Sequence, residues 1–164
     1  MTESATAPYK STMVMRSDPG EVAKLTRWII EACAAAHIPE KMSFAVQLCL
    51  DEAVANILQH PVQDAAQNAA QHPAQHAAQH AAGTARASTI SASLERGDAG
   101  VWLDIEDDGE AFDPSAAAPR APAPTLELLP VGGLGIHLMR QYSSRMEYSR
   151  SGGRNRLRLT FAGP

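Results

Sequence analysis

Glu52, Asn56 and His60 stand four residues apart in LDEAVANILQH, a stretch whose apolar residues follow helical spacing. Each step of four turns an α-helix by only about 40°, so the three side chains form one stripe along its surface. A carboxylate and an amide carbonyl on one face supply the hard oxygen ligands that Mg2+ prefers, and the carboxylate can also act as a general base. A polar outer stripe on an amphipathic helix accounts for the same spacing. The second constellation is IEDDGEAFDP, residues 105–114. Asp107 at a strand end, close to Gly109, can accept a hydrogen bond from an amino group of a ligand that approaches over the glycine; a hairpin turn with solvated acids is the alternative. The third is Gly132-Gly133-Leu134-Gly135 at a helix start. Unshielded backbone N–H groups at a helix N-terminus suit phosphates, although a glycine cluster can also simply end a loop. No Gly-Lys-Ser/Thr follows, so this is not a P-loop.

These residues need elements to hold them. Residues 11–16 alternate weakly and suit a short strand. Ser17, Asp18 and Pro19 offer a helix cap and first turn, and Val22, Leu25, Ile29 and Cys33 continue a helix to about Ala36. His37-Ile38-Pro39 breaks it, with His37 read as a helix-end residue only. A second helix from Pro39–Ser43 to about His60 carries the polar stripe. From Gln59 to Ala82 the chain reads as six tetrapeptides of the QHAA type. With no large apolar residue after Val62 and interruptions expected at Pro61 and Pro73, this repeat predicts a solvent-exposed, partly helical or disordered loop. Ala87–Leu94 and Val101–Glu106 predict two strands joined through Arg96–Gly100. Pro114 to Pro130 holds five prolines and predicts a mobile loop. A helix opens at the Gly132–Gly135 cluster, and strands follow at Arg145–Ser149 and over Asn155–Phe161. The order β-α-α-β-β-loop-α-β-β predicts an α/β two-layer sandwich, a mostly antiparallel sheet with helices on one face.

Composition bounds the function classes. The 164 residues are one domain's worth, 45% hydrophobic and 20% charged. Fourteen Lys+Arg against 18 Asp+Glu give a net charge of −4, which argues against direct binding of nucleic acid. No apolar run reaches the roughly 18–20 residues of a membrane span. The first ten residues show neither a basic leader nor an apolar core of a secretory signal, so a cytoplasmic protein is expected. Cys33 and Cys49 lack metal spacing and read as small buried hydrophobes. His72, His76 and His80 could ligate a metal if helical, but Pro73 interrupts them and no acidic or thiol ligand stands near; they are read as repeat-derived, without a metal. Arg154, Arg156 and Arg158 are read as the solvated face of the last strand rather than a partner face.

In their order and spacing, Glu-x3-Asn-x3-His on a helix, Asp-x-Gly-x-x-Phe-Asp-Pro after a strand, and a flexible loop into Gly-Gly-Leu-Gly resemble the GHKL (histidine-kinase-like) ATP-binding domain. The closer resemblance is to its branch of bacterial anti-sigma-factor serine/threonine kinases. It spans residues 10–162 apart from the repeat at 59–82, and implies the GHKL (Bergerat) fold with residues 114–131 as an ATP lid. It implies ATP and Mg2+ as cofactors. Asn56 would hold Mg2+ on the nucleotide phosphates, Glu52 would be the catalytic base, and His60 would match the end of the box. Asp107 would bind the adenine amino group, Gly109 would let the ring approach, and Gly133, Leu134 and Gly135 would meet the phosphates. Two departures stand out. Ala111 replaces a second glycine of the adenine box, and the repeat begins where the helix box ends, so His60 and His80 both fit its last position; chain continuity from Asn56 favours His60. The implied function is an anti-sigma factor that phosphorylates a serine of a STAS-type anti-anti-sigma antagonist and regulates a sigma factor by partner switching, with a homodimer allowed. The alternative is a non-catalytic, ATP-dependent binding module.

Overall fold

The computed structural model describes the backbone of residues 8–71, 89–116 and 134–162, and the side chains of the same residues apart from 60–71. Strand β1 (Tyr9–Arg16) leads into a 3-10 turn at Pro19–Glu21 and helix α1 (Val22–Ala35). The expected cap is present: the Asp18 carboxylate accepts from Gly20 N at 2.8 Å, with Pro19 in the first turn. At the far end His37 takes a left-handed φ of 50°. Ile38 N then reaches back to Cys33 O at 3.0 Å, which satisfies a carbonyl the helix leaves open.

Helix α2 spans Glu40–Gln71, about eleven residues beyond the expected end at His60. Pro61 does not interrupt it. Proline removes one backbone donor, but the alanines and glutamines that follow are strong helix formers and carry the helix on. The rest of the repeat, with His72, His76 and His80, lies outside the described residues, as does most of the loop expected at 114–130. Strands β2 (Thr89–Gly97) and β3 (Gly100–Asp107) form a hairpin closed by Asp98 and Ala99. Helix α3 (Leu134–Tyr142), strand β4 (Arg145–Ser151) and strand β5 (Arg154–Phe161) complete the chain. Gly152 and Gly153 turn β4 into β5 with φ of 56° and 79°, the left-handed pair that suits a two-residue hairpin.

The strands lie in the order β1-β2-β3-β5-β4 with every described pairing antiparallel. Alternation gives the sheet two faces. Ile90, Leu94, Leu103, Ile105, Leu159 and Phe161 point to the inner one and are buried against the helices. Leu25 and Ile29 of α1, Val46 and Leu50 of α2 and Met139 of α3 meet them in one continuous core. Each fully buried Leu or Ile contributes about 1.5–3 kcal/mol. Both cysteines are buried in this layer as free thiols. Burial, with the Glu52 charge in addition, pushes Cys49 up to about 12, so it stays a neutral packing group. Arg96 ties the layers together by donating to Ala36 O at the end of α1 at 2.8 Å. The expected two-layer α/β sandwich is the observed fold. Among the described residues no helix is long and apolar enough to cross a membrane.

The other sheet face is polar, and here the reading of the arginines needs correction. Asp104 is only 5% exposed. Arg156 Nε and Arg158 Nη2 bind its two oxygens at 2.9 and 2.7 Å from the next strand. Burial alone would raise the Asp104 carboxyl, but the hydrogen bonds and charges of Arg158 and Arg156 outweigh it and hold the group below the ordinary carboxylate range. Two of the three arginines are therefore partners of a buried acid rather than a merely solvated face.

Candidate functional site

The period of two that builds the core also builds the site. Along β3, Val101, Leu103 and Ile105 face inward, and the next inward position is Asp107, buried at 7% exposure. Along β5, Leu157, Leu159 and Phe161 face inward, and the same row begins with Asn155, buried at 5%. The two polar residues sit opposite each other in the β3–β5 register. The end of the sheet thus places a carboxylate and an amide where the core opens.

That opening is a partly open cleft whose empty space, counted out into the solvent at its mouth, is about 640 Å3. Ala53, Ile57, Ile105, Met139 and Leu157 give it an apolar floor. Phe112 and Pro114 also line it. The polar groups converge from four elements: Asn56 from α2, Asp107 and Gly109 from the end of β3, Tyr148 from β4 and Asn155 from β5.

Asp107 is fixed in orientation. Its Oδ1 accepts from Gly109 N at 2.8 Å and from Asn155 Nδ2 at 3.0 Å, while Oδ2 takes no hydrogen bond from the described residues. Asn155 in turn accepts from the Tyr148 hydroxyl at 2.7 Å and from Arg150, which also donates to Gly109 O at 3.0 Å. Asp108 plays a different part: it accepts from the backbone and side chain of Thr89 at 3.1 and 2.9 Å and anchors the start of β2.

Asn56 lines the cleft from the helix layer. Its Nδ2 is buried and has no hydrogen-bond partner among the described residues. An unsatisfied buried amide costs about 1–3 kcal/mol, which a polar ligand can recover. Glu52, one turn earlier on α2, does not line the cleft; it packs against Gly135. A side chain at 135 would overlap the Glu52 carboxylate, and even Glu52 Cβ lies 3.3 Å from where that Cβ would stand. Glycine at 135 lets α3 approach α2 this closely with the Glu52 carboxylate in place; a larger residue would have to displace it. Leu134 opens α3 and is exposed.

The structure therefore brings Asn56, Asp107 and Gly109 to one cleft and sets Glu52 and Gly135 together one helical turn away. His60 continues the stripe in the α2 backbone, but its side chain, like all of Gly133, lies outside the described residues. The sequence reading missed Tyr148, Arg150 and Asn155. Asn155 carried a signal, since a lone amide in an inward apolar row marks a place where the core meets polar chemistry. It also missed Arg140 of α3, which donates to Ser115 O at 3.0 Å, while Asp113 accepts from Ser115 N at 2.8 Å. These bonds fasten the start of the proline-rich segment to α3.

Comparison with known proteins places the chain in a family. A family model described as the histidine kinase-like ATPase domain matches residues 15–161. The chain is 32% identical over 120 residues to the serine/threonine-protein kinase BtrW of Bordetella bronchiseptica, covering 73% of this chain and 70% of that protein. Among solved structures, the RsbU and RsbW domains of Rv1364c from Mycobacterium tuberculosis share the fold, with a TM-score of 0.54 at 12% identity. That match covers 94% of this chain, which spans only 32% of the other. The SiaB–SiaC complex from Pseudomonas aeruginosa matches with a TM-score of 0.47 at 12% identity, over 93% of this chain and 89% of that one. The chain belongs to the histidine kinase-like ATPase family, in the branch that holds serine/threonine-protein kinases.

Proposed function

We propose that the cleft binds Mg2+-ATP and that the protein is an anti-sigma factor that phosphorylates a serine of a STAS-type anti-anti-sigma antagonist. Residues 10–162 are read as one ATP-binding domain, with 114–131 as its lid and 59–82 as an inserted repeat. One observation carries the reading: Asn56 of α2, in the helix layer, and Asp107 at the end of β3, in the sheet, line one mostly apolar cleft. Asp107 Oδ2 is the acceptor for the adenine amino group. The apolar floor takes the ring, and Gly109 allows its approach. The Asn56 amide is the oxygen ligand for Mg2+ on the phosphates; O and N of an amide exchange places when it turns over, so the orphaned position suits either atom. When bound, Mg2+ supplies charge neutralisation of the phosphates. Gly133, Leu134 and Gly135 are assigned to the phosphate end, and His60 to the end of the stripe.

Glu52 is the proposed base. It takes the proton of the attacking serine hydroxyl as that oxygen bonds the γ-phosphorus, and the β–γ bridging oxygen leaves with ADP. Exchange of the phosphorylated antagonist and a sigma factor on this protein, as a monomer or a homodimer in the cytoplasm, completes the proposal. A second reading, a module that binds ATP only to set its conformation, draws on the place of Glu52 against Gly135 rather than on the cleft wall. Glu52→Gln separates the two. In the kinase reading the variant binds ATP as the wild type does and loses about 10²–10⁴-fold in phosphotransfer to an antagonist co-purified from the host. Wild-type protein that binds ATP but transfers no phosphate supports the second reading.

A further inference from the structure

Asn155 lines the cleft, yet its hydrogen-bonding capacity is spent within the protein. Its Nδ2 donates to Asp107 Oδ1 at 3.0 Å and to Glu110 O at 2.7 Å. Its Oδ1 accepts from the Tyr148 hydroxyl and from Arg150 Nη1. A side-chain amide has two N–H donors and two lone pairs, so all four positions are taken. The consequence falls on Asp107. Asn155 and Gly109 N occupy both lone pairs of its Oδ1, which leaves Oδ2 as its one open acceptor.

One open oxygen distinguishes the purines. Guanine presents N1–H and its 2-amino group side by side, two parallel donors that need both oxygens of a carboxylate. Adenine presents a single amino group next to the N1 acceptor. A carboxylate with Oδ1 filled meets the adenine amine fully and leaves guanine one donor short in a largely apolar cleft, where an unpaired polar group is rejected strongly. On the reading of this cleft as a nucleotide site, we propose that Asn155, held by Tyr148 and Arg150, is the specificity-determining positioning residue that makes Asp107 a one-oxygen acceptor and so selects adenine over guanine nucleotides.

Calorimetric titration of the full chain with ATP and with GTP, each with Mg2+, tests this on wild type, Asn155→Ala and Tyr148→Phe. Asn155→Ala opens Oδ1, and the ratio of ATP to GTP affinity falls at least tenfold with GTP affinity holding or rising. Tyr148→Phe frees one bond of the Asn155 amide, and the ratio moves the same way by a smaller factor. Circular dichroism checks that both variants fold; if Asn155→Ala does not, Tyr148→Phe decides. Parallel losses of ATP and GTP affinity, or an unchanged ratio, in a chain whose wild type binds ATP overturn this inference alone. Wild-type protein that binds no ATP overturns the proposed function and this inference with it.

Discussion

Asp107 is positioned by strand alternation and oriented by two hydrogen bonds to one of its oxygens, so the other is the group whose loss a ligand would feel. Asp107→Asn keeps the size and exchanges an ionised acceptor for a neutral amide. ATP affinity should fall by about 1.5–3 kcal/mol, read by calorimetry, while the melting temperature shows whether the fold is kept. At this scale the sequence was partly legible. Asp107 and Asn56 could be singled out because their types and spacing are visible in short segments. Although Asn155 stood out as a lone amide in an apolar row, which residues orient Asp107 could not be read. Tyr148, Arg150 and Asn155 are brought to it by the β3–β5 and β4–β5 registers, across 40 or more residues of chain, and no local pattern states that pairing. The contact between Glu52 and Gly135 was hidden for the same reason, since helix packing between α2 and α3 decides it.

At the scale of elements, hydrophobic period was a sound guide where each strand or helix has one apolar face, and it failed where composition alone had to decide. Helix α2 passes Pro61 and runs into a segment with no apolar stripe, so nothing in the pattern marked its continuation. The repeat gives a direct test. Residues 63–82 contain no large apolar side chain, and loop closure grows by only about 0.6 kcal/mol per doubling of length. Deleting Gln63–Ala82 joins NILQHPV to GTARA; it should keep the fold, change stability by less than about 2 kcal/mol and leave ATP affinity nearly unchanged, as thermal melts and titrations would show. A large Zn2+-dependent stabilisation of the full chain alone, or lost ATP binding in the deletion, would make the repeat functional instead. The sheet makes a second prediction. Asp104 is held ionised below its ordinary range by Arg158 and Arg156, so its contribution is present above the unfolded carboxylate value and lost as pH falls through the folded one. Because the arginines are 35% and 45% exposed, water screens the pair. Asp104→Asn should cost about 1–2 kcal/mol at pH 7 by urea unfolding, and the difference from wild type should shrink below about pH 4.

For the whole molecule, the two-layer arrangement explains why the site lies where it does. Helices cover one face of the sheet, and the inward rows of β3 and β5 change from apolar to polar at one end, where α2 and α3 stand over them. The result is a cleft with an apolar floor, a fixed carboxylate from the sheet and an orphaned amide from the helix layer. That combination suits a flat base with an amino group joined to a phosphate chain carrying a divalent cation. Isothermal titration of the wild-type chain with ATP, with Mg2+ and then with the metal chelated, tests this most directly. Saturable one-site binding that weakens when Mg2+ is removed is the expected result; no binding at millimolar ATP with Mg2+ present would contradict it.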